Sequence, residues 1–328
     1  MVISDSGTLV YRSGTGPATT SKRTLVWVNR EGKEEPIPAP PNMYRLPKVS
    51  PDGTKIAVSV TINGNENIHI WEPAGENLRQ LTFGKGTDTQ PLWTPDGKRI
   101  VFLSDRDGKY AIYWKAADGT GAVDALSSAP DMNLFPWSWA ENGSTLVTVQ
   151  SSDLSADFHI GTLSMEGDRI SKSLIKKEHV VVHPKISPDG RYMAYMSAES
   201  RQYEIYVCPF PDVTEGKWQV SEGGGMSPLW SPDGKELFYL TRTGDAVMAV
   251  QVETEPTFRH AKPKEIFRGN YVTGYRENPE WDISPDGKRF LMIKPLTETG
   301  EEPTEQEQSR IIIVQNWFEE LKERVPAE

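Results

Sequence analysis

A Ser-Pro-Asp-Gly turn recurs along this chain at a near-constant interval, and no other feature restricts its fold so tightly. Strong copies stand at Ser50-Pro51-Asp52-Gly53, Thr94-Pro95-Asp96-Gly97, Ser187-Pro188-Asp189-Gly190, Ser231-Pro232-Asp233-Gly234 and Ser284-Pro285-Asp286-Gly287. Ala140-Glu141-Asn142-Gly143 is a divergent member, and Ser4-Asp5-Ser6-Gly7 a weaker one. From residue 50 the spacings are 44, 46, 47, 44 and 53 residues. Pro presets φ at the second turn position, Asp bonds back to the local backbone, and Gly accepts the positive φ that closes the hairpin. The turn is therefore specified by its own chemistry.

An apolar strand follows each turn: Thr8-Tyr11, Lys55-Val60, Arg99-Leu103, Thr145-Val149, Tyr192-Met196, Glu236-Leu240 and Arg289-Ile293. A third strand follows in every unit, at Leu25-Val28, Ile68-Trp71, Ala111-Trp114, Phe158-Leu163, Glu204-Val207, Ala246-Val252 and Ile311-Val314. Fourth strands are expected at segments such as Leu78-Phe83, Trp218-Ser221 and Lys264-Phe267. Four short strands every ~45 residues is the pattern of β-propeller blades. Strands apolar on both sides fit blades that pack on both faces. The expected fold is all-β, one propeller domain over residues 1–328, with seven blades. Six blades with extra terminal strands is the alternative, because unit one has almost no first strand and unit seven no obvious fourth.

Two segments break the repeat. Residues 297–309 carry five glutamates and no basic residue before Arg310, the composition of a solvated loop. Residues 316–325 read as a short C-terminal helix, with Asn316 as N-cap, Glu319 completing a capping box and Pro326 ending it.

Charge narrows the partners. The net charge is −10, which argues against a phosphate backbone and against adhesion to anionic membranes. No apolar run approaches the ~18 residues that span a bilayer, so membrane insertion by this chain is not expected. The first residues lack the basic and apolar regions of a signal peptide. Cys208 is the sole cysteine, which excludes an intrachain disulfide.

The motifs of familiar chemistry are missing from the sequence: no Gly-x-Ser-x-Gly elbow, phosphate loop, His-Glu-x-x-His or Cys-x-x-Cys. His179 and His183 form the closest histidine pair. Four positions along a strand separates them by ~13 Å, too far to share an ion. No metal, cofactor or catalytic residue is assigned. The Asp of each turn is explained by the turn, and the Ser104–Gly108 loop, with its Asp and Arg, is read as an ordered loop. Trp93, Trp139 and Trp230 precede their turns where Val49, Ile186 and Ile283 stand in other units, which marks an inter-blade packing slot.

Ligand-binding candidates lie instead where the chain approaches each first strand, at the mouth of the central channel. They are Tyr44, Arg45, Asp88, Gln90, Asn133, His183, Met226, Arg276 and Glu277, with Ser227 beside Met226. Their mixed polarity fits a protein, peptide or small-molecule ligand.

The repeat Pro-x-Trp-Ser-Pro-Asp-Gly-Lys, with Phe102-Leu103-Ser104-Asp105-Arg106 and Ile112-Tyr113, resembles the TolB-type, WD-like propeller repeat. Four segments are similar to the C-terminal propeller of some bacterial serine/threonine protein kinases: Leu25-Gly32, Glu204-Pro211, Gly216-Ser221 and Asn316-Leu321. That resemblance implies an extracytoplasmic sensor or scaffold domain that binds without catalysis. A propeller hydrolase or lyase, acting on a sugar or peptide at the channel mouth, is the competing reading.

Overall fold

The computed structural model describes residues 2–3, 9–13, 22–84, 86–127, 132–140, 143–152, 158–274, 279–296 and 310–314. The chain divides into two compact units, Arg23–Lys294 and a smaller one formed by Met1–Lys22 with Pro295–Glu328.

The larger unit holds six antiparallel blades, not seven. Blade 1 runs through Tyr44–Val49, Ile56–Ile62, Asn65–Glu72 and Asn77–Gln80. Blade 2 comprises Asp88–Trp93, Arg99–Ser104, Ala111–Ala116 and Asp124–Ser127. Blade 3 comprises Asn133–Ala140, Thr145–Ser151, Phe158–Ser164 and Ser171–Ile175. Blade 4 comprises Val181–Ile186, Tyr192–Ser197, Glu204–Pro209 and Trp218–Gln219. Blade 5 is built on Met226–Trp230, Glu236–Leu240 and Ala246–Glu253, whose free edge pairs with both Arg259–His260 and Lys264–Arg268.

Blade 6 takes its inner strands, Asp282–Ile283 and Arg289–Pro295, from the end of the unit and its outer strands, Arg23–Asn29 and Glu34–Pro36, from the start. This corrects the count of seven: the first and last sequence units are two halves of one blade. The missing first strand of one and the missing fourth strand of the other are complementary. Residues Arg310–Val314, expected as a blade strand, instead pair with Leu9–Ser13, which pairs with Val2–Ile3 in a separate three-stranded sheet. Residues Pro73–Gly75 form a 3-10 turn, and no α-helix occurs among the described residues. The expected loop 297–309 and helix 316–325 lie outside the described residues.

The five Ser/Thr-Pro-Asp-Gly turns form as their residues dictate. In blade 1 the Gly53 amide donates to the Ser50 carbonyl at 2.8 Å, and the Ser50 hydroxyl donates to Asp52 Oδ1 at 2.6 Å. The same bonds recur at Thr94–Asp96, Ser187–Asp189, Ser231–Asp233 and Ser284–Asp286. The Ser or Thr hydroxyl is the main reason that Asp52, Asp96, Asp233 and Asp286 lie below the ordinary carboxylate range.

The turns also pack on one another around the ring. A Cβ on Gly97 would meet Pro51, one on Gly234 would meet Pro188, one on Gly287 would meet Pro232, and one on Gly53 would meet Pro285. The last contact joins blade 1 to blade 6. Between the blades the core is continuous and apolar. Tyr44, Ile56, Val58, Val60 and Trp71 of blade 1 pack with Leu25, Leu291 and Ile293 of blade 6. Full burial of each such side chain stabilises by roughly 1.5–3 kcal/mol, and strands sandwiched this way must be apolar on both faces.

Candidate functional site

The six innermost strands surround the propeller axis. Four of them carry a residue in the left-handed region just before a proline: Leu46 (φ 52°), Gln90 (φ 55°), His183 (φ 59°) and Ser227 (φ 53°). Each stands four positions before its turn Ser or Thr, and each coincides with a register shift against the second strand. Non-Gly residues hold such φ values only where the surroundings over-determine them. Here a β-bulge re-aims the strand, so that the residue two places further on reaches the axis or the adjacent blade.

Those side chains and the neighbouring indoles bind one blade to the next at all six interfaces. Trp93 Nε1 donates to the Lys48 carbonyl of blade 1 at 3.0 Å, and Trp139 Nε1 to the Trp93 carbonyl of blade 2 at 2.8 Å. Trp230 Nε1 donates to the Lys185 carbonyl of blade 4 at 2.9 Å, and Trp281 Nε1 to the Ser227 carbonyl of blade 5 at 3.2 Å. The first three of these indoles stand at the pre-turn slot and Trp281 two places before it; at the two remaining interfaces that slot holds Val49 or Ile186. There a lysine takes over. Lys185 Nζ donates to the Trp137 carbonyl of blade 3 at 3.3 Å, while Ile186 N donates to Ser138 Oγ at 3.1 Å. Lys48 Nζ donates to the Trp281 carbonyl of blade 6 at 3.2 Å, while Val49 N donates to Asp282 Oδ2 at 2.8 Å.

Several expected mouth residues are part of this framework. Tyr44 is fully buried, and its hydroxyl donates to the Pro40 carbonyl. Burial drives that phenol's pKa well up. Met226 is buried in the core between blades 4 and 5. Asp88, 1% exposed, accepts from Ser104 Oγ at 2.6 Å and from Arg106 Nη2 at 2.8 and 2.9 Å. Arg106, which also lies over the Phe102 and Tyr113 rings, thus clamps its loop to the inner strand of blade 2. Gln90 is buried and donates through Nε2 to the Pro136 carbonyl of blade 3 at 2.8 Å.

His183 stacks on Trp137 with ring centroids 4.5 Å apart, and its Nδ1 lies 3.3 Å from Ser227 Oγ. The pair has the composition of a base and a nucleophile, but both residues are at most 2% exposed. Its evident role is an inter-blade contact between blades 4 and 5. Asn133 donates to the Ser151 carbonyl at 3.3 Å and is half-buried at the head of blade 3. Arg45 is the member of the set that keeps substantial exposure, 37% for its side chain. Its guanidinium lies 3.4 Å from Glu280 and 3.7 Å from Glu66. Arg276 and Glu277 lie outside the described residues.

Sequence reasoning passed over Lys48, Lys185, Glu280 and Asp282, ionisable groups on or beside the inner strands that bond across blade boundaries. Glu280, 3% exposed, accepts from Leu46 N at 2.6 Å. Desolvation raises its pKa, opposed chiefly by Arg45. Lys185 is pushed down to about 7, first by desolvation and then by Lys48, with Asp282 opposing. A signal for these residues was available. The slot two before the turn reads Lys48, Leu92, Ser138, Lys185, Leu229 and Asp282; the charged residues there precede the indole-free slots Val49, Ile186 and Ile283, and Ser138, beside Trp139, is the acceptor for Ile186 N.

Residues 19–171 match the family model described as the TolB beta propeller domain. Among curated proteins, the chain is 25% identical over 247 residues to the Tol-Pal system protein TolB of Francisella tularensis subsp. holarctica (strain OSU18), covering 73% of this chain and 54% of that protein. It is 29% identical over 212 residues to the uncharacterized peptidase YuxL of Bacillus subtilis (strain 168), covering 61% of this chain and 30% of that protein. The chain thus spans about half the length, or less, of these relatives. Of solved structures, the putative TolB from Agrobacterium tumefaciens superposes with a TM-score of 0.67 at 17% identity, covering 85% of this chain and 99% of that one. An oligogalacturonate lyase in complex with manganese gives 0.56 at 13% identity, covering 84% and 97%. These superpositions establish a shared fold. The narrower likeness to kinase-linked propellers rests on its four sequence segments alone.

Proposed function

We propose that this chain is a TolB-like propeller that binds a protein or peptide on the face where its channel opens, in an extracytoplasmic setting, as a docking or sensing domain. The observation that carries this reading is that the ionisable groups around the axis are already engaged. Lys48, Lys185, Glu280 and Asp282 bond to neighbouring blades, and Asp88 is spent on Arg106. A rigid ring so closed presents its loops as a fixed surface, which suits recognition. The match to the TolB family model and the curated TolB relative support a protein as the partner. Attachment of such a propeller to a kinase or to a larger receptor belongs to the same proposal.

The test is direct binding. The purified chain is titrated by calorimetry against the Pal component of a Tol-Pal system, and in parallel assayed for eliminative cleavage of oligogalacturonate and for hydrolysis of short peptides. Saturable binding to Pal that weakens in Arg45→Glu supports the reading. Turnover of either substrate without binding to Pal would overturn it in favour of a propeller enzyme, the reading that the lyase and peptidase relatives represent.

A further inference from the structure

Two Asn-Gly pairs occur in the sequence, Asn63-Gly64 and Asn142-Gly143. Asn142 lies outside the described residues. Asn63-Gly64 is the two-residue tip of the blade 1 hairpin between Ile56–Ile62 and Asn65–Glu72, closed by Ile62 opposite Asn65. Both tip residues are left-handed, Asn63 at φ 53° and Gly64 at φ 79°, the conformation that favours this dipeptide in a hairpin. Both are exposed. Among the described residues neither the Asn63 carboxamide nor the Gly64 N–H takes part in a hydrogen bond, and a Cβ on Gly64 would meet nothing within 4 Å.

That combination sets up a reaction between neighbours. An unhindered main-chain nitrogen after asparagine can attack the side-chain carbonyl carbon. The bond from Gly64 N to Asn63 Cγ forms, the Cγ–Nδ2 bond breaks, and the amide proton leaves with that nitrogen as ammonia. The product is a cyclic imide, which water opens at either carbonyl. Opening at the former side-chain carbonyl gives aspartate in a normal main chain. Opening at the main-chain carbonyl gives isoaspartate, with the chain running through Cβ and Cγ. A side chain on the second residue obstructs the attack, and glycine has none. Ring closure turns the 63–64 peptide out of its hairpin conformation, and at this tip the movement breaks no hydrogen bond made by either residue.

The Asp-Gly pairs of the repeat turns face the same ring closure, and their bonds hold them back. Aspartate must be protonated to lose its oxygen as water. Asp52 Oδ1 instead accepts from Ser50 Oγ at 2.6 Å, Thr54 Oγ1 at 2.8 Å and Thr54 N at 3.0 Å. Asp233 Oδ1 likewise accepts from Ser231 Oγ at 2.7 Å and Lys235 N at 3.1 Å. Such donors favour the ionised carboxylate and fix its direction. Asn63 has no counterpart to them.

We propose that Asn63-Gly64 is a site of spontaneous covalent modification in the folded chain, where Asn63 passes through the imide to aspartate and isoaspartate, the latter a substrate for an isoaspartyl methyltransferase that uses S-adenosylmethionine. Conversion adds a negative charge at the tip. The isoaspartyl form also lengthens a two-residue loop by one main-chain carbon, and that loop sets the pairing of Ile62 with Asn65 and of Thr61 with Glu66. Asn65 Nδ2 donates to the Gly84 carbonyl at 2.9 Å, and Glu66 accepts from Thr89 Oγ1 of blade 2 at 2.6 Å. Isoaspartate at position 63 therefore loosens one join between blades 1 and 2.

The test is incubation of the whole chain at pH 8 beside the free peptide Thr61–Asn67. Tryptic digestion at mildly acidic pH follows, with fragmentation mass spectrometry of residues 56–79. The expected result is the mass gain of amide-to-acid conversion on residue 63, and methylation of that fragment by the methyltransferase. Conversion should be slower than in the free peptide, because the hairpin tip must open. It should be slower at pH 6 than at pH 8, because the attacking nitrogen gives up its proton. Asn63→Gln closes a ring far less readily and is expected to lose both signals. No gain at residue 63 by the time the peptide has fully converted would overturn the proposal. So would a gain confined to Asn142, a fragment that is not methylated, or signals that survive Asn63→Gln. Should that variant fail to fold, residue-level fragmentation of the wild-type chain decides alone.

Discussion

The Trp93 indole donates its hydrogen across a blade boundary to the Lys48 carbonyl, 3.0 Å away. The side chain is 5% exposed, so water has no ready access to replace the bond. Trp93→Phe keeps most of the packing and removes the donor. It is expected to destabilise the chain by about 1 kcal/mol, the net worth of such a bond, plus the smaller loss of ring volume. Denaturant unfolding of the variant measures it.

Two turn glycines separate local from inter-blade cost. Gly190 (φ 75°) has open space where a Cβ would stand, whereas at Gly287 (φ 69°) it would lie 3.2 Å from Pro232. The difference follows from the sequence: the turn before Gly190 has Glu141 where the others have proline. Gly190→Ala is expected to cost about 1–2 kcal/mol for the left-handed backbone alone. Gly287→Ala should cost measurably more, and equal losses would show that the turn-to-turn contact contributes nothing.

Removal of the Asp88 carboxylate leaves Arg106 over two rings without its counter-charge. Asp88→Ala is expected to cost about 3 kcal/mol, the range for breaking one side of a buried pair. Part of that is recovered in the double variant Asp88→Ala/Arg106→Leu. A double-mutant cycle in urea reads the coupling, and additive losses would show that the pair acts independently.

Lys185 ties stability to pH with a definite sign. Its folded pKa is pushed down to about 7 from an unfolded value of 10.5. Between those values the unfolded chain binds the extra proton, so stability rises with pH across that window. Below about pH 7 both states are charged and the penalty is complete. Lys185→Met is expected to flatten this part of the profile relative to wild type. An unchanged slope would place the titration elsewhere.

Cys208 should be silent toward thiol reagents while the chain is folded. It is 1% exposed, and desolvation pushes its thiol up to about 12. Since the thiolate is the reactive form, modification by an aromatic disulfide is expected at the unfolding rate, with one equivalent released in denaturant. Prompt reaction at neutral pH would contradict the burial.

Most of the fold is legible because its unit is local. Ser50, Asp52 and Gly53 make their turn from each other's atoms, and so do the later copies, so spacing alone yields strands and blades. Their count is not local. Leu25–Val28 and Arg289–Ile293 each look like part of a complete unit, and only their pairing in one sheet makes six. The mouth residues fared less well for a related reason. Tyr44, Asp88, Gln90 and Met226 stand at strand approaches as expected, but whether a side chain there faces solvent depends on the bulges at Leu46, Gln90, His183 and Ser227. A proline marks each bulge in the sequence, yet the direction in which it turns the strand is set by the neighbouring blade.

The sequence by itself determined the repeating hairpin, the apolar strands and the placement of indoles between blades, because each follows from residue chemistry within a few positions. The tertiary structure decided what required distant segments to meet. It closed the ring through Arg23–Asn29 beside Arg289–Pro295, and brought Gly53 against Pro285. It also set Lys48 and Lys185, far apart in the chain, near enough that Lys48 helps to lower the Lys185 pKa. Cooperation between such groups depends on distance and dielectric in the folded ring, and neither is written in the order of residues.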